Sequence, residues 1–94
     1  MIDMEAEVVE YSPNAMQDDF ASGGFASYDA TALRIQSPGR LKGRTVSVFH
    51  REPMPENSFW RRPGARVRFS MEEADLGPSI TLFTGGLWNI REIF

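Results

Sequence analysis

The chain has 94 residues, 41% hydrophobic and 24% charged, which is ordinary globular usage and enough for one modest core. It contains no cysteine, which excludes disulfides, thiolate nucleophiles and cysteine-ligated zinc. The net charge of −3 conceals a strong segregation: residues 1–33 carry seven acids and no base, residues 34–68 nine bases and two acids, and residues 69–94 one base and four acids.

The N-terminus, Met-Ile-Asp-Met-Glu, is acidic where an export signal is basic, and no long apolar run follows it. No membrane segment is expected, and the expected location is cytoplasmic, since small secreted domains commonly rely on cross-links. Residues 5–11 predict a strand whose alternation slips at Val8-Val9, as a bulge makes it do. Ser12-Pro13 has the form of a helix N-cap followed by a first-turn proline and predicts a helical turn to about Phe20. Ala21 to Ser27, with Gly23-Gly24, predicts a flexible loop. Residues 1–27 are thus expected as an acidic N-terminal extension, and residues 28–94 as a single small β-barrel domain.

Residues 28–36 predict a strand with Thr31, Leu33 and Ile35 on one side, closed by the turn chemistry of Ser37-Pro38-Gly39. Residues 44–50 predict a second, with Val46 and Val48 on one face and Thr45, Ser47 and Phe49 on the other. Three prolines make residues 51–64 a long exposed loop that carries Phe59 and Trp60. Residues 66–70 predict a third strand, Val67 and Phe69 inward, Arg66 and Arg68 outward. Ser70-Met71-Glu72-Glu73 fits a capping box for a helix that Gly77-Pro78 stops after little more than a turn. Ile80 to Thr84, Gly85-Gly86 and Leu87 to Ile93 read as a hairpin with a two-residue turn.

The expected class is all-β with minor α: a five- to six-stranded Greek-key barrel in the OB-fold-like order β-β-β-α-β-β after an N-terminal extension. Leu41-x-Gly43-x-x-Val46-x-Val48 resembles what such barrels carry on entering their second strand. A small β-sandwich or an SH3-like barrel fits the same order.

No catalytic, cofactor or metal constellation stands out. His50, the sole histidine, ends a strand with no nucleophile motif near it. The acidic pairs Asp18-Asp19 and Glu72-Glu73 are adjacent and diverge on a helix, and the glycines lack phosphate-loop spacing. The candidate binding surface is Arg44, Phe49, Phe59, Trp60, Arg61, Arg62, Arg66 and Arg68, on the expectation that Phe49 lies beside Arg66 and Arg68 on a neighbouring strand. Glu5, Glu7 and Glu10 are the acids placed to neutralise those arginines.

Three functions are carried forward. The first is a non-catalytic protein-interaction module, for which aromatic and arginine anchors are the usual equipment. The second is a single-stranded nucleic-acid binder, with bases on aromatics and phosphates on cations. The third is an acidic inhibitor of a basic partner, of the kind that immunity proteins and antitoxins provide. The expected state is a monomer or a weak homodimer, the latter formed through an unpaired N-terminal strand. Clustering of acids around His50 would instead favour a small enzyme or ligand-binding barrel.

Overall fold

The chain's alternating segments form six strands: β1 (Ile2–Asp19), β2 (Phe25–Ser37), β3 (Thr45–His50), β4 (Arg66–Met71), β5 (Ile80–Phe83) and β6 (Trp88–Ile93). The computed structural model describes the backbone of residues 1–19 and 25–94, and the side chains of residues 1–15 and 27–94. The strands make one mixed sheet in the order β5-β3-β2-β1-β4-β6. Every pairing is antiparallel except β3 with β5.

One face of the sheet is apolar. Met4, Ala6 and Val8 of β1 share it with Leu33 and Ile35 of β2, and both rows are buried. Val46 and Val48 of β3, Val67, Phe69 and Met71 of β4, and Ile80 of β5 extend it. Burying each such side chain contributes about 1.5–3 kcal/mol. Among the described residues there is no α-helix and no second sheet to cover this face. Complete burial therefore requires the sheet to curl around it, with Leu41, Trp60 and Leu87 from the connections closing the ends. The edges β5 and β6 do not pair with each other among the described residues, so the sheet stays open and is not a closed barrel.

Several expectations are corrected. The segment 1–27 supplies β1, which lies between β2 and β4 at the centre of the sheet. The bulge at Val9 is present, as the alternation indicated. The helical turn after Ser12-Pro13 is not: β1 continues to Asp19, and Pro13 sits in an irregular stretch between Ser12 and Met16 where no ladder hydrogen bond is lost. The loop expected over Ala21–Ser27 lies partly outside the described residues, while Phe25–Ser27 already belong to β2. Ser70 caps no helix. Strand β4 runs through Met71, the Ser70 hydroxyl donates to Asp3 Oδ1 at 2.5 Å, and only a 3₁₀ turn forms at Glu73–Asp75.

The hairpin of the last two strands is also absent. Strand β5 pairs with β3 at one edge and β6 with β4 at the other. A 3₁₀ turn spans Thr84–Gly86, and neither Gly85 nor Gly86 takes the positive φ that a two-residue hairpin turn needs. Ile80 falls opposite Val46 and Leu82 opposite Val48, so long-range apolar matching outweighs the local turn signal.

The outer face explains the segregated charge. Acidic β1 lies between β2, whose Arg34 is its one cation, and β4 from the basic third of the chain. Glu7 is opposite Arg34 on one side and Arg66 on the other, and Glu5 is opposite Arg68. Glu5 pairs with Arg66 at 3.6 Å and with Arg68 at 3.2 Å. Charges that segregate along the sequence are thus interleaved across the sheet, an arrangement that mildly favours this strand order.

Candidate functional site

The sheet order divides the expected surface. Strands β3 and β4 are separated by β2 and β1, so Phe49 does not lie beside Arg66 and Arg68. Phe49 is half-buried on the outer face of β3 and packs against Phe83 of β5, their ring centroids 6.1 Å apart. Tyr28 meets the edge of Phe83 at 5.5 Å, and the Arg51 guanidinium lies 5.0 Å from the centre of that ring. Arg44 turns the other way, to the carbonyl of Gly77.

The 51–64 connection crosses the end of the core. Phe59 and Trp60 pack against each other at a tilt, their ring centroids 4.9 Å apart, and Trp60 is buried, folded back onto the sheet. Ser58 caps this 3₁₀ turn by accepting from the Trp60 N–H. Arg61 is fixed as well: its Nε donates to the Met54 carbonyl at 2.7 Å and its guanidinium lies 4.1 Å from the Tyr11 ring centre.

Beneath Trp60 lies a polar cluster that the sequence did not point to. The extra residue at Val9 shifts the parity of β1, so that Tyr11, opposite Thr31, falls on the same face as Val8. Asp29 is opposite His50. The Tyr11 hydroxyl donates to Asp29 Oδ2 and accepts from the Met54 N–H at 3.0 Å, and the Asn14 N–H donates to Asp29 Oδ1 at 3.1 Å. Asn14 reaches that position with φ of 54°, in the left-handed region that asparagine tolerates. His50 is fully buried, 5.8 Å from the Tyr11 ring and 4.8 Å from the Trp60 ring. The Thr31 hydroxyl donates to the Trp60 carbonyl at 3.3 Å. With its single proton used there, Thr31 accepts from His50 Nε2–H at 2.8 Å, and Nδ1 is left as a buried acceptor without a partner among the described residues.

The cluster's electrostatics follow from this packing. Burial pushes the Tyr11 hydroxyl up, and donation to Asp29 adds to the effect. Burial alone would raise Asp29; hydrogen bonds from Tyr11 and Asn14, with Arg61 and His50 nearby, outweigh it and hold the carboxyl below the usual range. Burial lowers His50, and the charge of Asp29 opposes this only in part. Among the described residues, the carboxylate that acts on His50 is Asp29, which is tied up by two donors, and His50 has no exposed surface, so the arrangement braces the end of the core. Among the described residues no three His, Asp or Glu side chains converge as metal ligands.

Three of the expected cations do meet. Arg61, Arg62 and Arg66 line a surface cavity of about 600 Å³ together with Glu92, Ile93 and Phe94. Arg62 pairs with Glu92 at 2.6 Å. Gly64, at φ of 91°, lets the connection turn so that its N–H donates to the Val8 carbonyl at 2.8 Å, which sets the cavity wall against the bulge. The sequence reading missed Glu92, Ile93 and Phe94, because β6 was assigned to a hairpin with β5 rather than to the flank of β4.

Compared with known proteins, the chain matches no family model, no curated protein and no solved structure.

Proposed function

We propose that this protein is a non-catalytic interaction module that binds an acidic segment of another protein in the groove between residues 61–66 and β6. The observation that carries the reading is the convergence of Arg61, Arg62 and Arg66 on a cavity with apolar walls, where Glu92 answers Arg62, Glu5 reaches Arg66 from outside the lining, and three cations face two acids. In a chain of net charge −3 this is a local positive site. Guanidiniums recognise carboxylates through paired hydrogen bonds, and Ile93 and Phe94 offer apolar contact beside them. The exposed edge of β6 leaves backbone donors and acceptors free to receive an extended segment. The OB-fold-like barrel is not required for this reading, which uses only β6 and the connection before β4.

The other readings draw less support. The nucleic-acid surface drawn from the sequence needed Phe49 next to Arg66 and Arg68, and β1 and β2 intervene. The acidic-inhibitor reading needs a free acidic arm, whereas Glu5 is engaged by Arg66 and Arg68.

The test is an NMR titration of the intact chain with a short acidic peptide containing one aromatic residue, beside a basic peptide of equal length and a single-stranded oligonucleotide of equal charge. Saturable shifts centred on residues 61–66 and 92–94 with the acidic peptide alone are expected, and Arg62→Ala should weaken them. Shifts from the acidic peptide centred elsewhere, or stronger binding of the oligonucleotide at residues 61–66 and 92–94, would overturn the assignment.

A further inference from the structure

The outer face of β4 and β6 contains a pairing that folding alone does not favour. Arg68 and Arg91 are direct cross-strand partners. Like charges opposite each other destabilise an antiparallel pair, and any neutral residue would relieve it. Glu5 answers Arg68, but among the described residues Arg91 makes only a long bond, 3.4 Å, to the Asn89 carbonyl.

A second irregularity lies alongside. Arg68 is opposite Arg91 and Ser70 opposite Trp88, so β6 inserts one extra residue against β4. Asn89 takes φ of 55° there. Without the insertion Trp88 would share the inward side of β6 with Ile90; with it, Trp88 joins Arg91 on the outer face, and the residue is 51% exposed. Asp3, Arg68, Phe69, Ser70, Asn89 and Arg91 line a cavity of about 290 Å³ on this face, and Trp88, the cross-strand partner of Ser70, stands beside it rather than in its lining. The Asp3 carboxylate accepts from the Ser70 hydroxyl at 2.5 Å.

We infer that this cavity is a binding site for a nucleoside phosphate, independent of the peptide groove. The exposed face of Trp88 takes the base by stacking. Asp3, held in place by Ser70, accepts from a sugar hydroxyl, the usual partner of a carboxylate in nucleotide sites. Arg68 and Arg91 take the phosphate, whose charge removes the repulsion between them. The Asp3 carboxylate repels the phosphate, which confines it to the Arg91 end of the cavity. Two positions along β4 separate Ser70 from Arg68, about 7 Å, a span one nucleotide bridges. The cavity is at the small end for ligand sites and suits a single nucleotide unit, free or within a strand.

The chain has two tryptophans, so an NMR spectrum of the uniformly labelled wild-type protein carries two indole N–H signals, assigned with Trp88→Phe. The probes are AMP, adenosine, inorganic phosphate and a short oligoadenylate. AMP should shift the Trp88 signal saturably and leave the buried Trp60 signal in place. Adenosine and phosphate alone should each bind at least about tenfold more weakly, and Arg91→Gln, a surface change, should cost AMP about tenfold in affinity. Tighter, steeply salt-dependent binding of the oligoadenylate assigns the phosphate to a strand, and equal or weaker binding assigns it to a free nucleotide. No saturable shift of Trp88 with any probe, or an AMP affinity unchanged by Arg91→Gln, would overturn the proposal.

Discussion

At one end of the sheet an extra residue at Val9 turns Tyr11 onto the core face; at the other an extra residue beside Asn89 turns Trp88 onto the outer face. The consequences are opposite. Tyr11 joins Asp29, Thr31 and His50 under Trp60, where nearly every polar atom has a partner. Trp88 stands in solvent next to two arginines that repel each other. A bulge changes which face receives a side chain, and the surroundings of that face set the effect. Where the cluster is closed and its hydrogen bonds are made, the result is stability. Where it is open and, among the described residues, no acid is paired with Arg91, the surface is the one proposed to take a ligand.

The largest effect should come from breaking the closed end. Asp29→Ala strands the Tyr11 hydroxyl and the Asn14 N–H, at a cost of about 2–4 kcal/mol in urea denaturation. A loss below about 0.5 kcal/mol would mean that water replaces Asp29 and that the cluster is less closed than described.

The same end sets the pH response. Folding holds His50 below its ordinary value of 6.5, so the unfolded chain takes up the proton first. The stability due to neutral His50 is full above pH 6.5 and falls as pH drops through it, by up to about 1.4 kcal/mol per pH unit. Asp29 acts in a separate window: its depressed pKa adds stability above 3.8 that is lost as pH falls below that value. His50→Gln should flatten the upper part of the profile and leave the lower part. Denaturation midpoints between pH 8 and pH 3 check this.

A smaller effect tests the second bulge. Asn89→Val places a β-branched residue at φ of 55° and should cost about 1–2 kcal/mol, while Asn89→Gly should be close to neutral. An equal cost for both would mean that the asparagine side chain, rather than the backbone, holds the bulge.

Much of the strand layout was legible, although the polar cluster under Trp60 was not. The strand faces of residues 28–36, 44–50 and 66–70, the slip at Val8-Val9 and the pairing of Glu5 with the arginines all follow from alternation and charge, which are local properties. The destination of each strand was not. Gly85-Gly86 signals a hairpin within a few residues, yet Ile80 and Leu82 fit Val46 and Val48 some 34 positions earlier. The Ser70 capping box is locally sound, but Asp3 captures the hydroxyl from the far end of the chain. The candidate sites were scattered for the same reason. Placing Arg91 opposite Arg68 requires knowing that β6 flanks β4, and the one local hint was an asparagine inside the strand after Trp88.

The central claim is that the arginines of β4 and β6 face each other to hold a ligand rather than to hold the fold. Thermal unfolding of Arg91→Gln against the wild type, at low salt and without ligand, tests it most directly. The account predicts a Tm equal to or above that of the wild type, because a like-charge pair is relieved. A fall of about 4 °C or more, equivalent to about 1 kcal/mol, would show that Arg91 supports the sheet and would contradict the claim.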